Sequence, residues 1–312
     1  MKQGLIAVGG AYVDINVPQF PVPEEGLQLE TEVVGHQYRV EPGGSAVNFA
    51  RLCASMGIPT TFVGKVGQDA MGELLVDLLK KAHVTPELVH AADVSTSVSF
   101  NMVNDDGKSI MAVAGTANQV LTADEVYERV SNMLSEAEYL CIGGCFKLKQ
   151  LMPAFERLAH DAQAAGVRIV LDHGRLNSGV TAEEKEVVKR LALAADVYMP
   201  STDEFMQLWQ VDSVAAGLAM MAEKGRGVTV VKNGSDGVVS FVNGDVVKVP
   251  AFAVTPLHTV GAGDSFNAGF VAAQLQGKDL VDSMTYGCAT AALKISREEL
   301  PTWQVVEELI GT

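Results

Sequence analysis

Short apolar runs of strand length alternate along this chain with longer stretches of helical periodicity, and no other feature constrains the fold as tightly. Residues 5–8 read as a buried strand, 46–56 as a helix, 60–66 as a strand and 71–82 as a helix. Strands follow at 139–142, 167–171, 197–199 and 228–231, the last placed centrally, with helices at 150–165 and 182–194. Residues 262–276, 280–295 and 303–309 read as helices. Apolar strands separated by helices cross over in parallel, so the pattern predicts an α/β fold. It is doubly wound, with a mostly parallel central sheet and helices on both faces.

Two segments break the alternation. Residues 26–40 and 96–113 read as β-hairpin material, the second around the turn Asn104-Asp105-Asp106-Gly107. They predict a small β-sheet outside the main one, acting as a lid, with lid segments at about 16–40 and 96–113. Residues 238–241 and 245–249 form a further hairpin around Asn243-Gly244. The 312 residues hold no internal repeat and no Pro/Ser-rich linker, so a single domain over 1–312 carrying a lid is expected.

Composition limits the partners. At 48% hydrophobic and 20% charged residues, the chain can bury a substantial core. Its 23 Lys and Arg against 38 Asp and Glu give a net charge of −15, which repels phosphate backbones and anionic membranes. Neither nucleic acid nor membrane is an expected partner. Four cysteines (Cys53, Cys141, Cys145, Cys288) make no disulfide framework, and Cys141 and Cys145 lack a second pair at metal spacing, so they read as core thiols. The first residues show no signal-peptide layout and no run of 18 apolar residues occurs, so a soluble, cytoplasmic protein is expected.

The strongest local signal is Val260-Gly261-Ala262-Gly263-Asp264-Ser265-Phe266, which opens a helix of small residues. Two glycines free the backbone to aim several N–H groups at one spot, and a helix N-terminus adds partial positive charge there. Asp264 in the first turn would stand beside a bound anion, poised to take a proton from an attacking hydroxyl. Spacing alone equally allows a glycine turn with Asp264 as a capping residue. A second pair, Gly43 and Gly44, also opens a helix, with Asn48 one turn in and able to present its amide to hydroxyls; here too a turn capped by Ser45 is an alternative. Asp14 follows the first strand, at the edge where open α/β sheets bind ligands, although taken alone it reads more readily as a loop-capping aspartate.

Taken together, Asp14, Gly43-Gly44 with Asn48, the two hairpin segments and the stretch His258 to Phe270 (HTVGAGDSFNAGF) resemble the ribokinase-like (PfkB) family of carbohydrate and nucleoside kinases, essentially end to end. The resemblance implies a ribokinase-like doubly wound domain with a β-sheet lid, transferring the ATP γ-phosphoryl to a primary hydroxyl with Mg²⁺. It makes Asp264 the general base, and Gly261, Ala262 and Gly263 the anion hole. Asp14, Gly43, Gly44 and Asn48 become sugar-binding positions. The turn after Lys232, with Asn233, Gly234 and Gly237, becomes the nucleotide turn. Cys288 falls near the adenine, and Glu204 organises Mg²⁺ through water.

The chain also departs from the family pattern. Ser201 stands where relatives carry Asn before the Glu, which shortens a polar contact. His258 replaces the Asp that helps ligate potassium in activated relatives, and an imidazole does not replace a hard carboxylate oxygen. The Pro-Gly turn expected after the penultimate helix is replaced by Arg297 to Pro301. These changes argue against a standard monovalent-cation site. Asp172 and Arg175 read as flanking the site or as a structural ion pair. Lys147, Lys149 and Arg39 are solvated cations unless one faces the sugar, in which case a carboxylated or phosphorylated sugar gains support.

The reading is an ATP- and Mg²⁺-dependent kinase of a small sugar, ribose- or fructose-like. A nucleoside kinase, or a catalytically weakened ligand-binding or regulatory member, is the alternative. The exposed edge of a lid sheet suggests a homodimer that covers it.

Overall fold

The computed structural model describes residues 4–21, 32, 34–104, 109–177 and 179–311. Along the chain come β1 (Leu5–Val8), β2 (Tyr12–Val17), β3 (Arg39–Gly43), α1 (Ser45–Ser55), β4 (Thr60–Gly67), α2 (Ala70–Lys81) and β5 (Val84–Ala91). Then follow β6 (Val98–Val103), β7 (Ser109–Ala114), α3 (Ala123–Met133), β8 (Tyr139–Gly143), α4 (Met152–Ala164), β9 (Arg168–Asp172) and α5 (Ala182–Ala194). The last third holds β10 (Val197–Tyr198), α6 (Thr202–Trp209), α7 (Val214–Lys224), β11 (Val228–Lys232), β12 (Val238–Val242), β13 (Asp245–Val249), α8 (Ala262–Leu275), α9 (Leu280–Ser296) and α10 (Trp303–Ile310).

Nine strands form the main sheet in the order β13-β12-β11-β10-β9-β8-β1-β4-β5, parallel from β11 to β5, with the β12–β13 hairpin antiparallel at one edge. Alternate side chains of each strand enter opposite layers, as a period of two requires. Ile6 and Val8 join one buried cluster with α3, α4 and α5, whereas Leu5 and Ala7 join the other with α1, α2 and α8. β8 and β9 divide in the same way: Leu140, Ile142, Ile169 and Leu171 on one face, Tyr139, Cys141 and Val170 on the other. Each fully buried aliphatic side chain contributes about 1.5–3 kcal/mol, so this two-faced burial fixes both helix layers.

Order within the sheet decides where ligands can bind. The chain leaves β1 for β4 on one side and later returns to β8 on the other, so β1 and β8 flank the point where the winding reverses. The crevice past the carboxyl ends of strands at such a point is the standard ligand position. There the sequence places Gly143 at the end of β8 with Gly144 after it, Asp172 at the end of β9, Ser201 after β10 and Lys232 at the end of β11. β11 lies toward the hairpin edge of the sheet, displaced from the centre expected of it.

The second sheet has four strands in the order β3-β2-β6-β7. β2 pairs antiparallel with β3 and parallel with β6, and β6 turns back antiparallel into β7. It therefore starts earlier than expected, at Tyr12, so that Asp14 lies within a strand. Of the segment expected as hairpin over 26–40, residues 26–31 and 33 lie outside the described residues and only Arg39 and Val40, in β3, are strand; residues 105–107 of the expected turn also lie outside them.

Candidate active site

Ala262 begins α8 directly after Gly261, whose φ of 79° is left-handed backbone that a side chain would strain. No side chain caps this helix, and of its first N–H groups that of Ala262 reaches the Thr259 carbonyl at 3.4 Å. Asp264 stands in that first turn, where Asn48 Nδ2 of α1 donates to its Oδ2 at 3.1 Å. The two glycine-started helices thus meet at one carboxylate. Burial and then the negative charge of Asp172 push the Asp264 carboxyl up to about 7, against the Asn48 hydrogen bond and the charges of Lys232 and Lys147, which pull it down.

Asp14 lies in β2 between Glu41 of β3 and Ser99 of β6. A Cβ on Gly43 would sit 2.0 Å from Asp14 Oδ2, so only glycine lets the carboxylate cross that backbone. Gly44 has φ 106°, and a Cβ there would press on the Gly10 carbonyl at 2.3 Å. Burial, with Glu41 second, raises Asp14 to about 6. A chain of hydrogen bonds continues across the sheet: Ser99 Oγ to Asn101 Oδ1 (3.2 Å), Asn101 Nδ2 to Asn16 Oδ1 (3.0 Å) and Asn16 Nδ2 to Glu41 Oε2 (3.3 Å). Sequence reading missed these four residues. Their alternation with apolar neighbours in β2 and β6 is the signal that could have found them.

Two hollows join beneath this sheet. One is lined by Gly10, Tyr12, Gly44, Gly144 and Lys147, the other by Phe49, Asp172, Asp264 and Asn267, and they share Ser45, Ala46 and Gly143. The larger surface hollow lined by Glu87, Glu125 and Arg129 contains no glycine turn and none of the acids with a raised pKa. The joined pair holds Asp264 of the first turn of α8, a carboxylate able to accept a proton near neutrality, and Lys147, whereas Asp14, Asn16, Ser99 and Asn101 line neither hollow.

A family model described as "pfkB family carbohydrate kinase" matches residues 11–302. The chain belongs to this family. It is 26% identical to 5-dehydro-2-deoxygluconokinase of Bacillus licheniformis over 98% of its own length and 95% of the relative's. To ribokinase of Haemophilus influenzae it is 24% identical over 99% of both. An Escherichia coli protein solved in complex with ATP and Mg²⁺ superposes with a TM-score of 0.85, covering 99% of each chain at 19% identity. That likeness establishes the shared fold, a mostly parallel main sheet with a smaller sheet beside it.

The remaining residues singled out in this pfkB chain divide by position. Lys232 does not follow the turn after it: its ammonium runs inward to Asp172 Oδ2 at 2.6 Å and to Asn267 Oδ1 at 3.2 Å. Burial alone would raise Asp172, but Lys232 and the Asn267 amide outweigh it and hold the carboxyl below its ordinary value. Asp172 is thereby paired with Lys232, while Arg175 is exposed. The Asn233–Gly237 turn closes through Asn233 N–H to the Gly237 carbonyl at 2.8 Å. Thr202 Oγ1 donates to Asn233 Oδ1 at 3.1 Å.

Glu204 Oε2 accepts the Ser201 N–H at 2.9 Å, so it caps α6, and among the described residues nothing engages its Oε1. Cys288 packs in the core with Phe266 and Met284, 5% exposed. Burial pushes its thiol up to about 12, and no feature of its surroundings assigns it a nucleotide contact. Lys149 is tied to Glu184 at 3.0 Å and to the Gly179 carbonyl at 3.0 Å, away from the hollow that Lys147 lines. Arg39 pairs with Glu298. His258 is held low by burial and by the charge of Lys294. No helix among the described residues is long and apolar enough to cross a membrane.

Proposed function

We propose that this pfkB-family protein transfers the γ-phosphoryl group of ATP to a primary hydroxyl of a small sugar. The observation that carries the proposal is Asp264 in the first turn of the uncapped α8, oriented by Asn48 from the other glycine-started helix. Phosphoryl transfer asks for positioning and charge stabilisation more than for covalent help. The N–H groups at Gly261, Ala262 and Gly263 hold the charge that develops on the phosphoryl oxygens. Asp264 takes the proton of the attacking hydroxyl. Asp14, Gly43 and Gly44 form the floor and wall against which sugar hydroxyls bind, with the small sheet as a lid that excludes water. Asn48 acts through Asp264 with one amide hydrogen and keeps the other, with its carbonyl oxygen, for the sugar.

Lys232, Asn233, Gly234 and Gly237 flank the nucleotide, and Cys288 lies behind the helix next to it. Mg²⁺ keeps several waters and needs only one or two carboxylates besides the phosphates. Glu204, with one oxygen unengaged, suits a contact through water, and among the described residues no cluster of three metal-ligating side chains competes with it. When bound, the ion neutralises charge on the phosphates. Lys294 and Arg39 beside His258 disfavour a monovalent cation there.

Ribose- or fructose-like sugars are the first substrate reading, in line with the ribokinase relative. A sugar acid is the second, favoured by Lys147 in the wall of the hollow and by the relative whose name specifies a gluconate. We also infer a homodimer through the small sheet.

The test is ADP release with ATP and Mg²⁺ against free sugars, sugar acids, sugar phosphates and nucleosides, beside Asp264→Asn. Turnover on one sugar class, falling at least about 10²-fold in the variant, is the expected result. ATP binding with no turnover on any class overturns it and favours a regulatory member of the family.

A further inference from the structure

Lys232 has three ammonium hydrogens, and the protein accounts for two. One goes to Asp172 Oδ2 at 2.6 Å and one to Asn267 Oδ1 at 3.2 Å. Asn267 Nδ2 donates to the same Asp172 oxygen at 2.6 Å, so the three side chains lock one another. The ammonium then lies 3.3 Å from the point where a Cβ on Gly263 would stand. Among the described residues no acceptor takes the third N–H. Glycine at 263 leaves that side of the ammonium open toward the first turn of α8.

A purely structural ion pair is the simplest account of this cluster, since β9 and β11 are separated by β10 and the pair spans it. Three features go beyond that account. Lys232 is only 11% exposed, so its charge is little screened. Its partner Asp172 stands close enough to raise the proton affinity of Asp264, a cost that a structural tie alone need not carry. The ammonium lies beside Gly263 in the first turn of α8, where a Cβ would come within 3.3 Å of it.

We propose that Lys232, fixed by Asp172 and Asn267, is a catalytic residue that donates its third N–H to an oxygen of the phosphoryl group in transfer across Gly263. The proposal rests on the kinase reading above. In the step, the bond from the γ-phosphorus to the β–γ bridging oxygen breaks and ADP leaves with that electron pair. The bond from the sugar oxygen to phosphorus forms, and the hydroxyl proton goes to Asp264. Lys232 neither gains nor loses a proton; it meets charge that spreads over the phosphoryl oxygens. Asp172 and Asn267 are positioning residues that keep the ammonium from swinging toward solvent.

Removing one preorganised donor of this kind lowers kcat by about 10²–10³-fold. Lys232→Met is expected to bind ATP and sugar within about threefold of wild type by calorimetry, with kcat reduced by about 10²-fold, in line with that range. The loss should persist at pH 9, where Asp264 is ionised. The acid limb of the pH profile should also move upward, because the cation that favours ionised Asp264 is gone. Lys232→Ala gives a second readout: primary alkylamines should restore part of kcat, which a structural tie would not predict.

Full kcat in Lys232→Met, or a loss confined to ATP or sugar binding, overturns the proposal. So does absence of amine rescue if the Met variant fails to fold. The two readings fail separately. A wild type that turns over no sugar sinks the kinase reading, whereas wild-type turnover retained in Lys232→Met sinks this one alone.

Discussion

Asp264 is placed where function and stability oppose each other. Its folded pKa is about 7 against an ordinary 3.8, so the folded state holds this proton more tightly than the unfolded chain. Stability from this group is therefore fully present below about 4 and is lost as pH rises through about 7. The proposed base must be ionised to act, so kcat/KM should fall as pH drops below about 7, with Asp14 adding a second loss near 6. Asp264→Asn should melt at a higher temperature than wild type at pH 8, the difference vanishing by pH 4, while activity is lost at both. Scanning calorimetry at the two pH values, beside a pH–rate profile, checks the pair; equal melting temperatures at pH 8 would place the carboxylate in solvent. At this scale the sequence was legible where the chemistry is local. Gly261 to Asp264 can be read from four consecutive residues. The contacts that orient and tune the site join residues 60, 95 and 216 positions apart, and no local spacing encodes them.

Elements were legible where burial is two-faced and obscured where one residue masks the pattern. β5 carries Pro86, which removes a ladder donor and demotes a strand when read from sequence; the structure places it at the outer edge of the sheet, where that donor is not needed. α3 is not legible although Thr122 and Glu125 form a capping box, because its apolar face is narrow, with only Val126 and Val130 buried along it. α8 was clear because its small residues follow the glycine turn, and the structure gives those small residues a reason. A Cβ on Gly269 would meet Thr290 Oγ1 at 2.2 Å and the Tyr286 carbonyl at 2.8 Å on α9. Gly269→Ala must therefore push the two helices apart, at a cost of about 1–3 kcal/mol. Because the same helix begins at the proposed anion hole, kcat should fall as well. Urea unfolding with a turnover assay checks this. A stable, fully active alanine variant would mean that the α8–α9 contact does not set the position of the helix terminus.

For the whole molecule the deciding quantity is charge. A net charge of −15 repels a second copy at low ionic strength, and repulsion between exposed charges is screened beyond about 10 Å at 0.1 M salt. Association must then use a face poor in acids. Only the outer strip of the small sheet meets that need: Val113 lies opposite Ser99, which lies opposite Asp14, and Met111 lies opposite Asn101, which lies opposite Asn16, so all six share a face whose acids, Asp14 and Glu41 opposite it, lie on the inner side. Its inner part is polar, while Met111 and Val113 on edge strand β7 are 63% and 55% exposed. The opposite edge, β3, is tethered to the body through Arg39 and Glu298, and among the described residues β7 is the edge left open to a second copy. Light scattering should show a dimer at about 0.15 M salt, its fraction rising with salt as screening relieves the repulsion. Met111→Asp with Val113→Asp should give a monomer. Because the apolar strip continues the face that carries Asp14, KM for the sugar should rise in that monomer through poorer cover of the crevice. A wild type monomeric at every salt concentration would show that the β7 edge is left to solvent, and that the lid closes from within one chain.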